Sequence, residues 1–129
     1  MLGGFEVGGI PAISQIALAA AINLFTTFYI ALTEEVIFRG FVFSSLREEH
    51  SMFISIVFSM FLFILFHLPK WESLLSSPYL FHLIASGIVF TLIYIKSTTL
   101  WHSIGLHWGW NMGAFALSDS RIYGKTQLL

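Results

Sequence analysis

The sequence contains no cysteine, which excludes disulfides, thiol catalysis and cysteine-ligated metal centres. Charge is also scarce. Only 10% of residues are Asp, Glu, Lys or Arg, against about 25% in an ordinary soluble domain. With 57% hydrophobic residues and a mean hydropathy of +0.83, the composition is that of an integral membrane protein. The net charge of −1 supplies no basic surface for a nucleic-acid partner. Met1–Gly9 has no basic segment and carries Glu6, so no secretory signal peptide is read there. Sequence repeats and low-complexity segments are absent. At 129 residues the chain is short for a polytopic membrane enzyme, a length consistent with the core of a longer protein.

Runs free of charged residues extend over 7–33, 50–69, 73–95 and 97–118. Each reaches or approaches the roughly 20 residues that a helix needs to cross about 30 Å of hydrocarbon. The expected architecture is all-α: a multi-pass bundle of about four transmembrane helices near 11–39, 51–67, 78–96 and 98–117, forming one unit over 1–129. Gly40 is a plausible cap for the first helix, with 41–50 as a connector and Pro69 and Pro78 bracketing another. Trp71, Tyr79 and Trp101 suit interfacial positions. The segment after Ser118 is polar and is expected outside the bundle. Orientation stays open, because Arg39, Arg47 and Lys96 on one side balance Lys70, Arg121 and Lys125 on the other.

Against this apolar background, Glu34-Glu35-Val36-Ile37-Phe38-Arg39 stands out. Ionisable residues within membrane segments are costly and mark functional sites by default. On a helix, Glu35 and Arg39 form an i,i+4 pair and read as a structural ion pair. Glu34 points about 100° away from Glu35 and has Phe38 at its own i+4 position. A buried carboxylate without a partner costs several kcal/mol, so another helix must supply one. His67 and His107 are the candidates.

His107 and Asn111 share a helix face, opposite a ridge of Gly105, Gly109 and Gly113 that suits close helix packing. Taken alone, His107 and Asn111 could simply bond helices together. His67, beside Pro69 and Lys70, reads alone as an interfacial residue. His82 and His102 near span ends also read as interfacial, and His50 in a charged segment as solvated.

Taken in order, Glu34-Glu35-x-x-x-Arg39, Phe63-x-x-x-His67 and His107-x-x-x-Asn111 resemble the three-motif signature of the CPBP (Abi) family, the intramembrane CAAX-type prenyl endopeptidases and their bacterial relatives in bacteriocin maturation and immunity. The resemblance covers about residues 20–117, and no motif position departs from the pattern. Family members usually carry further membrane helices before the first motif. The resemblance implies an endopeptidase acting on a lipidated or membrane-associated peptide. It implies that Glu34 activates a water, that His67 orients the water and shuttles its proton, and that His107 and Asn111 stabilise the oxyanion. Glu35 and Arg39 would hold the geometry.

Peptide hydrolysis does need an activated water and donors aimed at the developing oxyanion. An unpaired carboxylate in low dielectric is a better base than one in water. A zinc alternative stays open, with Glu34, His67 and His107 as ligands and water in the fourth position. Asn111 is an unusual zinc ligand and H-E-x-x-H is absent, so the metal-free version is preferred. Two other classes remain: a non-catalytic immunity or scaffold protein, and a proton or ion conductor. Neither requires the complete polar set.

Overall fold

The computed structural model describes residues 13–67 and 77–118. Met1–Gly9, the Lys70–Trp71–Glu72 connector and the polar segment after Ser118 lie outside the described residues. Among those described, no strand occurs and the chain forms four helices: α1 (Ile13–Glu49), α2 (Met52–Phe66), α3 (Ser77–Ser97) and α4 (Leu100–Ser118). The fold is the expected all-α helix bundle. By length and apolarity, Ile13–Glu49 and Tyr79–Ser97 qualify as membrane-crossing helices. The 15 residues of α2 rise only about 22 Å at 1.5 Å per residue, which is short of the hydrocarbon thickness.

The first helix departs from expectation. It does not end at Gly40 but continues through Glu49, so 41–50 is mostly helix rather than connector. The reason is local. Val36–Phe43 winds as a π-helix, and the wider turn exposes carbonyls that side chains then satisfy. Ser59 Oγ of α2 donates to the Phe38 carbonyl at 3.0 Å, and Ser44 Oγ donates to the Arg39 carbonyl at 2.9 Å. Gly40 serves proximity instead of termination. A Cβ there would lie 3.1 Å from Leu100 Cδ1, so glycine admits the start of α4 against α1.

Helix α2 starts at Ser51, whose hydroxyl accepts the Ile54 N–H at 3.4 Å. It is held against α1 by buried Ser55 and Ser59 and by the Phe38–Phe63 edge-to-face pair at 5.1 Å. Phe38, Phe63 and Leu83 form the apolar centre, with Tyr79 against it. Its small size fits a bundle whose outer residues are apolar as well: Phe25, Phe53, Phe61 and Phe81 are all exposed. Most of the apolar surface is therefore turned outward, where lipid rather than water is the natural solvent.

Helix α4 packs chiefly on α1, and here too the structure corrects the sequence. The glycine ridge was expected at a tight helix contact. Gly105, Gly109 and Gly113 are exposed, and among the described residues a Cβ at any of them would meet nothing within 4 Å. The opposite face, with Ser103, Ile104 and His107, is the buried one. Small residues permit close approach, but they do not compel it. His107 cannot be left against lipid without a partner, and its partner is on α1.

Candidate active site

The site is built around a guanidinium. Arg39 is 1% exposed and Glu35 is 0% exposed. Arg39 Nη1 donates to Glu35 Oε1 at 2.8 Å, Nη2 donates to the Gly87 carbonyl at 3.1 Å, and Nε donates to Thr91 Oγ1 at 3.3 Å. The Thr91 hydroxyl in turn donates a hydrogen bond to the Gly87 carbonyl at 2.8 Å. Phe63 and Phe90 flank the guanidinium carbon at 5.0 and 5.5 Å. A planar fork with fixed donors, lined by aromatic rings, is a role that lysine could not fill. The i,i+4 pair expected from the sequence is present, and it ties α1 to α3.

Glu35 has a second partner. The same Oε1 receives His107 Nδ1 of α4 at 2.8 Å, while no hydrogen-bond donor reaches its buried Oε2 among the described residues. The other imidazole nitrogen, Nε2, lies 3.7 Å from Glu34 Oε2. Phe90 stacks on the imidazole at 4.5 Å and 19°. His107 therefore bridges the two carboxylates. The sequence suggested two separate devices, an ion pair at Glu35–Arg39 and an isolated Glu34. The structure joins them. A carboxylate can only accept, so the bond to Glu35 assigns the Nδ1 proton. In its neutral form the ring then turns an Nε2 lone pair towards Glu34 and the cavity. Only the imidazolium offers a donor there.

A cavity of about 410 Å³ opens on this cluster, within the roughly 300–1,000 Å³ range of small-ligand pockets. Glu34, His67, His107 and Asn111 all line it, so the structure brings together every residue proposed from the motifs as reactive. His67 caps α2. Its Nδ1 donates to the Phe63 carbonyl at 2.9 Å, which is one turn back in the motif. That bond sets its tautomer as well and leaves Nε2 for the cavity. Asn111 lies one turn beyond His107, and among the described residues no hydrogen bond engages its side-chain amide.

Residues outside the motifs complete the walls. His82 and Tyr79 were expected at the membrane interface, but both line the cavity, along with Trp110, Thr27 and Ser86. Trp110 Nε1–H donates to His82 Nε2 at 3.0 Å, and the two rings stack at 4.9 Å. The spacing of Tyr79, His82, Ser86 and Phe90 at three- and four-residue steps was the available signal that they share one face. Its direction depended on where α3 packs. His50 is exposed, as expected, and His102 is exposed as well.

Among the described residues, no three His, Asp or Glu side chains converge closely enough to hold a metal ion.

Comparison with known proteins completes the description. Searches of curated proteins and of solved structures each return no match. Residues 16–113, which include all three motifs, match the family model described as type II CAAX prenyl endopeptidase Rce1-like, and the chain belongs to that family.

Proposed function

We propose that this chain is a multi-pass intramembrane endopeptidase in which Glu34 activates water against a peptide bond of a membrane-associated substrate. Family membership supports a CAAX-type peptidase. A prenylated CAAX tail is the substrate class taken from it. The observation that carries the reading is the convergence of Glu34 from α1, His67 from the end of α2, and His107 and Asn111 from α4 on a single cavity.

The proposed steps begin with a bound water. Water bound between the Glu34 carboxylate and His67 Nε2 has two acceptors for its protons. Attack on the carbonyl carbon forms the C–O bond as Glu34 takes one proton. The oxyanion is received by an Asn111 N–H and by His107 Nε2–H. Collapse breaks the C–N bond, and the proton held by Glu34 passes to the leaving amine.

His107 can act as that donor only as the imidazolium, whose Nδ1–H is held by Glu35 Oε1. Glu35 therefore contributes twice. It anchors Arg39, and it orients and compensates the imidazolium, as the third member of a catalytic triad does.

The test is cleavage of prenylated CAAX peptides and of bacteriocin-leader peptides by the purified protein, with Glu34→Ala as control. Cleavage by the parent protein and none by the variant is expected. Equal cleavage by both would remove Glu34 as the base. The reading uses no metal. One tightly bound zinc per chain, with activity lost to chelator and restored by zinc, would overturn that part.

A further inference from the structure

The cavity has a polar end at Glu34 and His107 and an aromatic wall that the chemistry above does not use. That wall is formed where α3 meets α4, by His82 and Trp110, with Tyr79 stacked on His82 at 6.4 Å and 30°. Trp110 is 50% exposed, the bulkiest of the exposed side chains that line the cavity, Ile30 and Ala114 being the others. It reaches the cavity and the outer surface of the bundle. That outer surface is apolar: Leu106, one turn before Trp110, and Phe81, next to His82, are both exposed. One hydrogen-bonded ring pair therefore stands between the cavity and a surface suited to lipid.

We infer that His82 and Trp110 are specificity-determining residues. They form the portal through which a substrate's attached apolar chain leaves the cavity for the membrane, and the chain lies against their rings. The inference rests on the endopeptidase reading, and it adds the place where chain and peptide part. A cavity of about 410 Å³ that must admit a peptide backbone at Glu34 leaves little room for a long hydrocarbon chain as well. The chain must therefore leave the cavity, and beside His82 and Trp110 the outer surface is apolar. The two rings suit the role. They are flat, largely apolar and held by a single N–H···N bond, which can open without leaving a charge unpaired. By contrast, the Arg39 side of the site is sealed by Phe63 and Phe90 and by three hydrogen bonds.

The test uses one CAAX peptide bearing S-octyl, S-farnesyl or S-geranylgeranyl chains, cleaved by the purified full chain and by Trp110→Ala and Trp110→Phe. The inference expects Trp110→Ala to raise KM for the farnesyl peptide about tenfold. The octyl peptide should change less than twofold, and kcat should hold within about threefold because the reacting groups are untouched. Trp110→Phe keeps a ring without the Nε1–H and should retain most of the discrimination between chains. An equal loss on all three peptides, or no change on any, would overturn the inference while leaving the endopeptidase reading intact. Failure of the parent protein to cleave any of the three would sink both. Should Trp110→Ala not fold, His82→Phe against His82→Ala gives the same comparison from α3.

Discussion

Glu34 and Glu35 are neighbours in the chain and occupy opposite environments. The Glu35 side is closed: a guanidinium, an imidazole, two phenylalanine rings and helix α3 surround a carboxylate with no exposure. The Glu34 side is open: the carboxylate faces a cavity, with His107 Nε2 at 3.7 Å instead of a direct hydrogen bond. One helical step of about 100° separates a carboxylate held through Oε1 by Arg39 and His107 from one that faces the cavity. A hydrogen-bonded, enclosed carboxylate supplies fixed charge and geometry. An unsaturated one at a cavity wall can exchange a proton.

Substitutions that exchange the roles of the two sides test this contrast. The largest expected effect is on turnover. Glu34→Gln preserves shape and should lower kcat at least about 10³-fold, while thermal unfolding shifts little. A large loss of stability in that variant would show that Glu34 is structural and would erase the distinction.

Glu35→Ala should act in the opposite sense, costing about 3–5 kcal/mol of stability because Arg39 and His107 both lose a buried partner. Glu35→Gln refines the comparison. It retains an acceptor for Arg39 but removes the charge that compensates an imidazolium, so kcat should fall by about 10²-fold with a smaller stability cost. If Glu35→Gln were fully active, His107 would not need the charge.

Asn111→Ala removes one oxyanion donor on the open side and should lower kcat by about 10²–10³-fold with KM nearly unchanged. A rise in KM alone would make Asn111 a binding residue.

The smallest effect lies outside both environments. Thr98, in the turn between α3 and α4, has φ 55°, a left-handed conformation that costs a β-branched residue about 1–2 kcal/mol. Thr98→Gly should raise stability by about 1 kcal/mol and leave cleavage as it was. Altered cleavage would mean that this turn sets the position of Asn111 and His107 relative to α3.

Much of the architecture was legible in the sequence because membrane helices announce themselves by uncharged length. The four spans differ from the observed helices mainly at the end of α1. There a glycine that reads as a helix stop is accommodated within a π-helical stretch, with Ser44 and Ser59 taking up the freed carbonyls. The motif residues were legible for a related reason, since polar groups in an apolar chain are few and conspicuous. His82 was less so, because a histidine near a span end has an ordinary interfacial explanation, and Trp110 was not singled out because a tryptophan within an apolar span is unremarkable. The glycine ridge misled in the same way. Its spacing describes a surface capable of packing, whereas the need to bury His107 decided which face was used.

The sequence by itself determined that the chain is a helical membrane bundle, and it named the residues too costly to be incidental. Both follow from local quantities: apolar length, helical periodicity and the desolvation cost of charge. Only the tertiary structure decided how those residues are wired. That His107 binds Glu35 through Nδ1 and meets Glu34 through Nε2 depends on which face of α4 turns to α1. The Arg39 contacts with Gly87 and Thr91 depend on how α3 lies against both. Such contacts join residues tens of positions apart, and no spacing along one helix encodes them. Their geometry gives Glu34 and Glu35 the different surroundings on which the proposed division into reactive and structural roles rests.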